Sequence, residues 1–184
     1  MGGTSFINCT FFTNTTANTT PLNGVGGAIR ASHATGSILT ITNCVFWGNA
    51  DSWSADNISL DSAASVVNMG FTSINTNAGS CTFSGTKKFG LGITNVNPQF
   101  ASAEAPYDVH LKSTGGRWDP GLGTWVTDAV SSPCIDAGDA SDYSLEPLPN
   151  GGIINLGRYG NTLYASKAPA SSSPKGTGML IVVR

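Results

Sequence analysis

Apolar and polar residues alternate in short runs over the first half of the chain, and one of these runs recurs. Phe6-Ile7-Asn8-Cys9-Thr10-Phe11-Phe12-Thr13-Asn14 is matched position by position by Ile41-Thr42-Asn43-Cys44-Val45-Phe46-Trp47-Gly48-Asn49, a spacing of roughly 35 residues. A weaker third copy, Val66-Val67-Asn68-Met69-Gly70-Phe71, follows after roughly 25 more. Within each copy the alternation is that of a half-buried strand. It predicts inward rows made of Phe6, Cys9 and Phe11, then Ile41, Cys44 and Phe46, then Val66, Met69 and Phe71. The Asn between two inward positions interrupts the period of two, as a corner between strands would. Asn tolerates the left-handed conformation, so Asn8, Asn43 and Asn68 are expected to stack as a ladder.

A second strand per repeat reads from Gly26 to Ser32 and, loosely, from Asp56 to Asp61. Units of this kind cannot bury their own interior and become stable only when stacked, which predicts a parallel β solenoid. No segment sustains a helical period. The stretch Thr15 to Val25, rich in Thr, Asn, Pro and Gly, reads as a surface loop. After Cys81 the repeat fades, and Phe83, Phe89, Leu91, Ile93 and Val96 supply one or two irregular coils. The expected organisation is coils over about residues 4–100, a loop-rich cap over about 101–167, and a Pro/Ser/Gly linker with an apolar run, Met179 to Val183, over 168–184.

Composition removes several function classes. Charged residues are 11% of the chain and the net charge is −2 with nine Lys and Arg, so no basic surface exists to neutralise nucleic-acid phosphates. No apolar stretch approaches a membrane span, and Met1-Gly2-Gly3-Thr4 has no signal-peptide character. The cysteines Cys9, Cys44, Cys81 and Cys134 form no CxxC pair, which argues against zinc. Cys9 and Cys44 should neighbour each other on adjacent coils, roughly 4.8 Å apart. Their parallel side-chain directions disfavour a disulfide, so buried free thiols are expected.

The Gly-Gly-Ala-Ile segment at 26–29 and the Thr-Asn-Cys-Val-Phe-Trp-Gly-Asn segment at 42–49 resemble coils of right-handed parallel β-helix proteins of the pectate-lyase-like and polymorphic outer-membrane-repeat kind. The stretches 97–100, 107–126, 132–139 and 148–167 resemble the terminal segment of large secreted bacterial β-helix proteins. Ile153 and Arg158 depart from that pattern, standing where an Arg and a small residue are common. The resemblance implies an all-β, short right-handed parallel β-helix of roughly three to five coils with a C-terminal cap, placed outside the cell or on its surface.

Candidate chemistry is scattered. A lyase acting on uronates needs a base and usually Ca²⁺ held by carboxylates. Arg30, His33, Asp56 and Asp61 are the residues available for it, and a solvated face with one salt bridge is the simpler reading. Asp136 and Asp139 flank Ala137-Gly138 in a turn, where loop hydrogen bonds are expected rather than hydrolysis. Asp108 and His110 alternate with Val109 and Leu111 and should share an outward face. Trp118 and Trp125 are expected to pack within the cap. Trp47 and Phe12 hold equivalent outward positions, with Trp53 nearby, and such rings stack on sugar faces unless a loop covers them.

The expected function is a non-catalytic scaffold or weak polysaccharide-binding module with no cofactor, Ca²⁺ being the one ion such a module would take. A remnant of a polysaccharide lyase or glycoside hydrolase is the alternative, and an adhesive or ice-binding surface a third. Because the chain enters a core coil near Phe6, an open first coil predicts association, as a homodimer through that coil or through addition of the Met179 to Val183 strand.

Overall fold

The computed structural model describes residues 3–16, 26–31, 36–51, 57–77 and 79–169, and every regular element among them is a strand. In chain order these are β1 (Gly3–Ile7), β2 (Thr10–Phe12), β3 (Thr15–Thr16), β4 (Ile29–Ala31), β5 (Ile38–Thr42), β6 (Val45–Trp47), β7 (Ala50–Asp51) and β8 (Ile58–Leu60). There follow β9 (Val66–Gly70), β10 (Cys81–Phe83), β11 (Thr86–Phe89), β12 (Phe100–Ser102), β13 (Asp108–Leu111), β14 (Arg117–Asp119) and β15 (Thr124–Val126). His33, Asp56, Trp53 and the apolar run Met179 to Val183 lie outside the described residues, as does most of the expected 168–184 linker and much of the Thr15 to Val25 loop.

All pairing before Phe100 is parallel. The largest sheet runs β1-β5-β9-β11, a second runs β10-β8-β4, and β2 pairs with β6 while β3 pairs with β7. The chain thus returns to the same sheets in successive tiers. The first return is 35 residues long and the next 28, as the partnerships of Cys9 with Cys44 and of Ser37 with Ser65 record. The tiers shorten along the stack because the loops between strands shrink while the strands keep their register.

Alternation puts one row of each sheet inside. Phe6, Ile41, Met69 and Phe89 are register partners in the largest sheet, and Ile29, Ile58 and Cys81 in the second. Phe11 and Phe46 stack with centroids 4.5 Å apart and planes at 9°, and Phe6 meets Phe11 edge-on at 5.3 Å. Apart from Phe89, which is 42% exposed on the last strand of the sheet, these residues, with Leu39, Leu60, Val67 and Ile74, form one continuous core.

The third tier differs from the sequence alignment by three residues. Ile41 pairs with Met69 and Thr40 with Asn68, so Asn68 lies beside Thr40 and is not a rung above Asn43. The corner position instead falls on Phe71: Asn8 (φ 52°), Asn43 (φ 54°) and Phe71 (φ 44°) all take the left-handed conformation, and Gly92 (φ 71°) continues the series. The bridges Val45 to Ser73 and Ser73 to Thr94 carry the same register past the corner. Ile74 therefore supplies the inward contact below Phe46, and Phe71 turns outward into a second cluster. The inward apolar row fixes this register, since sliding by three would replace Met69 with Val66 opposite Ile41. Phe71 is accommodated because a Cβ on Gly92 would sit 2.5 Å from its ring, a space only glycine leaves open.

From Phe100 onward pairing is antiparallel, β12 with β13 and β14 with β15, and the chain then winds without regular structure to Pro169. This cap builds the second cluster, in which Val45, Phe100, Leu111, Cys134, Ile135 and Leu156 are buried against Phe12, Trp47 and Phe71. Trp118 and Trp125 meet edge-on across the hairpin, and Trp118 also touches Tyr164.

Replacing Phe46 with Ala should lower stability by about 3–5 kcal/mol through the cavity left between tiers. Gly92→Ala should cost about 2 kcal/mol through its left-handed backbone and the Phe71 contact. Chemical denaturation reads both, and an unchanged midpoint in either variant would contradict the packing described.

Candidate functional site: an amide-lined cleft

Asn recurs at the ends of the first two repeats, and that recurrence builds the most developed polar feature of the stack. Asn49 Oδ1 accepts hydrogen bonds from the main-chain N–H and the Nδ2 of Asn14 at 3.1 and 2.9 Å. Its Nδ2 donates to the Phe11 carbonyl at 3.0 Å and to Asn57 Oδ1 at 3.1 Å. Asn57 Nδ2 in turn donates to the Asn75 carbonyl at 3.3 Å. Asn49 and Asn57 are buried, and such groups are tolerated inside only when bonded in this way. The relay locks the turns after β6 and before β8. Between them opens a cleft of about 450 Å³ lined by Trp47, Asn49, Asn57, Asn75, Ser80 and Asn95. Its described lining is amide, hydroxyl and aromatic. Among the described lining residues there is no carboxylate, imidazole or cation, and they offer hydrogen bonds and an apolar edge.

Of the residues available for lyase chemistry, Arg30 and Asp61 do not line this cleft, and His33 and Asp56 lie outside the described residues. Arg30 Nε donates to Asp61 Oδ2 at 2.8 Å on the outer row of β4, and Ser59 Oγ donates to the other oxygen of Asp61 at 2.8 Å. The pair is partly exposed, as in the solvated face with one salt bridge expected from the sequence. Asp139 serves the turn: its Oδ1 accepts from Asn43 Nδ2 at 2.9 Å and from the Ser141 N–H at 3.1 Å, and it also takes the Ser141 hydroxyl. Burial opposes ionisation of Asp139, but the hydrogen bonds from Ser141 and Asn43 outweigh it and hold the carboxyl below the usual range. Asp136 sits in a left-handed turn (φ 52°) with its N–H donated to Asn155 Oδ1 at 2.8 Å.

Asp108 and His110 do not face solvent as the alternation predicts. His110 is only 2% exposed, because the C-terminal winding covers that side of β13 and lays the Tyr159 ring on the imidazole at 3.7 Å. The His110 Nδ1 contacts Asp108 Oδ1 at 2.5 Å, and the main-chain N–H of His110 donates to the same oxygen at 3.0 Å. Desolvation pushes the Asp108 pKa up, yet these bonds and the charges of His110 and Arg117 together bring it below the ordinary value. Arg117 gathers Asp108, Asp119 and Asp128 at 3.6, 3.5 and 3.1 Å. This is a sealed network that fixes the cap.

The outward aromatics divide. Phe12 is half-buried, with Phe100 and Tyr107 packed against it at nearly right angles, centroids 4.9 and 5.6 Å away. Both contacts come from the cap, and residues 17–25 of the loop expected there lie outside the described residues. Trp47 joins the same cluster and also borders the cleft. The cysteines are free thiols, and burial raises the pKa of Cys44 to about 12 and that of Cys134 to about 11, which leaves both unreactive near neutrality. Among the described residues no three His, Cys, Asp or Glu side chains are grouped to hold a metal ion, and no helix is long and apolar enough to cross a membrane.

Glu146, which sequence reasoning missed, clamps the end of the cap. It is 4% exposed, and its Oε1 accepts the N–H groups of Asn155 and Asn161, each at 2.9 Å. Burial raises its pKa to about 7, against the two hydrogen bonds and with Asp136 adding repulsion.

Residues 72–138, spanning the last parallel tiers and the start of the cap, match a family described as disaggregatase related, which is of β-helix type. No curated protein and no solved structure matches the chain.

The Glu146 clamp predicts a pH dependence. A carboxyl whose folded pKa is raised binds its proton more tightly when folded, so its contribution is complete below the unfolded value near 4.5 and is lost as pH rises through about 7. Glu146→Gln, which cannot ionise, should remove that decline and make the variant more stable than the parent on the alkaline side, by on the order of 2 kcal/mol. Parallel stability profiles for the two proteins would contradict it.

Proposed function

We propose that the chain is a short right-handed parallel β-helix of roughly three to five coils, acting outside the cell or on its surface as a non-catalytic polysaccharide-binding module. The tiered parallel sheets and the partial match to a β-helix-type family support the fold part of this reading. The observation that carries the functional part is the cleft bordered by Trp47 and lined by Asn49, Asn57, Asn75, Ser80 and Asn95. Asn49 and Asn57 spend their amides on the fold and fix the wall, while the more exposed Asn75 and Asn95 amides at its rim offer donors and acceptors that suit sugar hydroxyls, and an indole edge suits the C–H face of a pyranose. The rigidity of the relay favours binding because little side-chain freedom is left to lose.

Calorimetric titration against a panel of soluble neutral and acidic glycans, with and without Ca²⁺, tests the reading. Saturable binding is expected. It should weaken about fivefold in Asn95→Ala, the loss of roughly one hydrogen bond, with no change in melting because Asn95 is exposed. Absence of binding to every glycan would leave only a scaffold role. An ultraviolet-absorbing unsaturated product, abolished by Arg30→Ala, would make the protein a lyase.

A further inference from the structure

Three Asn-x-Ser/Thr triplets fall wholly within the described residues: Asn8-Cys9-Thr10, Asn14-Thr15-Thr16 and Asn57-Ile58-Ser59. The triplet is the acceptor pattern for N-linked glycans, but pattern alone does not separate the three. The fold does. Asn57 is buried with its Nδ2 on the Asn75 carbonyl, and Ser59 is also buried. Asn8 sits at a left-handed corner with its Nδ2 directed to the Gly160 carbonyl at 3.4 Å, and the Thr10 hydroxyl accepts the Arg158 N–H at 3.0 Å. A sugar on either would have to displace the core or the cap.

Asn14 differs in exposure, although its Nδ2 also donates, to Asn49 Oδ1, and the Thr16 hydroxyl donates to Asp51 Oδ1 at 3.4 Å, neither partner belonging to the apolar core or the cap. It is exposed, in the turn between β2 and β3, and Thr15 beside it is exposed as well. The triplet continues into β3, an extended strand that pairs only with β7 among the described residues. We propose that Asn14 is the acceptor for an N-linked glycan, an inference that rests on the extracellular reading given above. The co-reactant is a polyprenyl-diphosphate-linked oligosaccharide with its transferase. Asn14 Nδ2 bonds to the sugar C1 as the C1–O bond to the diphosphate breaks, one amide proton passes to a base of the transferase, and the lipid diphosphate leaves. The product amide keeps one N–H, so the bond from Asn14 Nδ2 to Asn49 Oδ1 at 2.9 Å is not necessarily lost. Asn49 Oδ1 holds the Asn14 main-chain N–H at 3.1 Å in either case, so modification leaves the amide relay satisfied.

The test uses the purified, folded full chain with a single-subunit oligosaccharyltransferase and a lipid-linked glycan. Conditions are set with a version extended after Arg184 by an Asn-Ala-Thr acceptor, and the assay is run where that extension is modified. Peptide mapping should place a glycan on Asn14, absent from Asn14→Gln, with Asn8 and Asn57 bare. A fourth triplet, Asn18-Thr19-Thr20, lies outside the described residues, and mapping separates it from Asn14. Asn14 left bare while the extension is modified, or Asn8 or Asn57 modified in the folded protein, would overturn the assignment. Glycan titration of the cleft in the unmodified chain is read independently, so failure at Asn14 is distinguishable from failure of the polysaccharide-binding reading.

Discussion

A left-handed residue turns the chain after the leading strand of each tier, and the rest of the structure depends on where that residue falls. The conformation costs an ordinary side chain about 1–2 kcal/mol, which Asn8 and Asn43 reduce and Gly92 avoids. The corner breaks the strand period so that the strands before and after it both aim a row inward. It also leaves the corner side chains outside, available to whatever covers that face. Asn43 uses this on three sides: its Nδ2 donates to Asp139 Oδ1 at 2.9 Å, its Oδ1 accepts the Asp139 N–H at 2.9 Å, and its carbonyl accepts the Gly157 N–H at 2.7 Å. One residue thus sets the strand geometry and anchors the cap.

Covering the outer face of β2 and β6 has a functional consequence. The cap packs against Phe12 and seals His110 and Asp108 in a structural network. The side of the stack beyond β6 and before β8 keeps an open cleft, and its wall is fixed by bonds that Asn49 and Asn57 make within the fold. The described lining of the cleft combines amides, a hydroxyl and a partly buried Trp, the features on which the proposed binding of a chain of hydroxyls rests.

The first two tiers were legible in the sequence because they share spacing as well as residue type: Phe6 with Ile41, Cys9 with Cys44 and Phe11 with Phe46 fall out of a direct alignment. The third departs from that alignment because burial of Met69 opposite Ile41, and not the Asn at Asn68, decides the register and places Phe71 at the corner. The cap's attachments were not legible. They join residues 96 and 152 positions apart, and no local pattern marks them. Glu146 is a lone acid in a loop until Asn155 and Asn161 bring their N–H groups to it. The cleft was half legible: Asn14 and Asn49 recur in the repeat, but Asn75 and Asn95 belong to tiers where the repeat has faded.

The register of the third tier carries the account most directly, since corner, core and cap all follow from it. Nuclear Overhauser contacts between backbone protons of β5 and β9 in a labelled sample measure it. The account predicts cross-strand contacts joining Ile41 to Met69 and Thr40 to Asn68. Contacts joining Ile41 to Val66, with Asn43 beside Asn68, would contradict it.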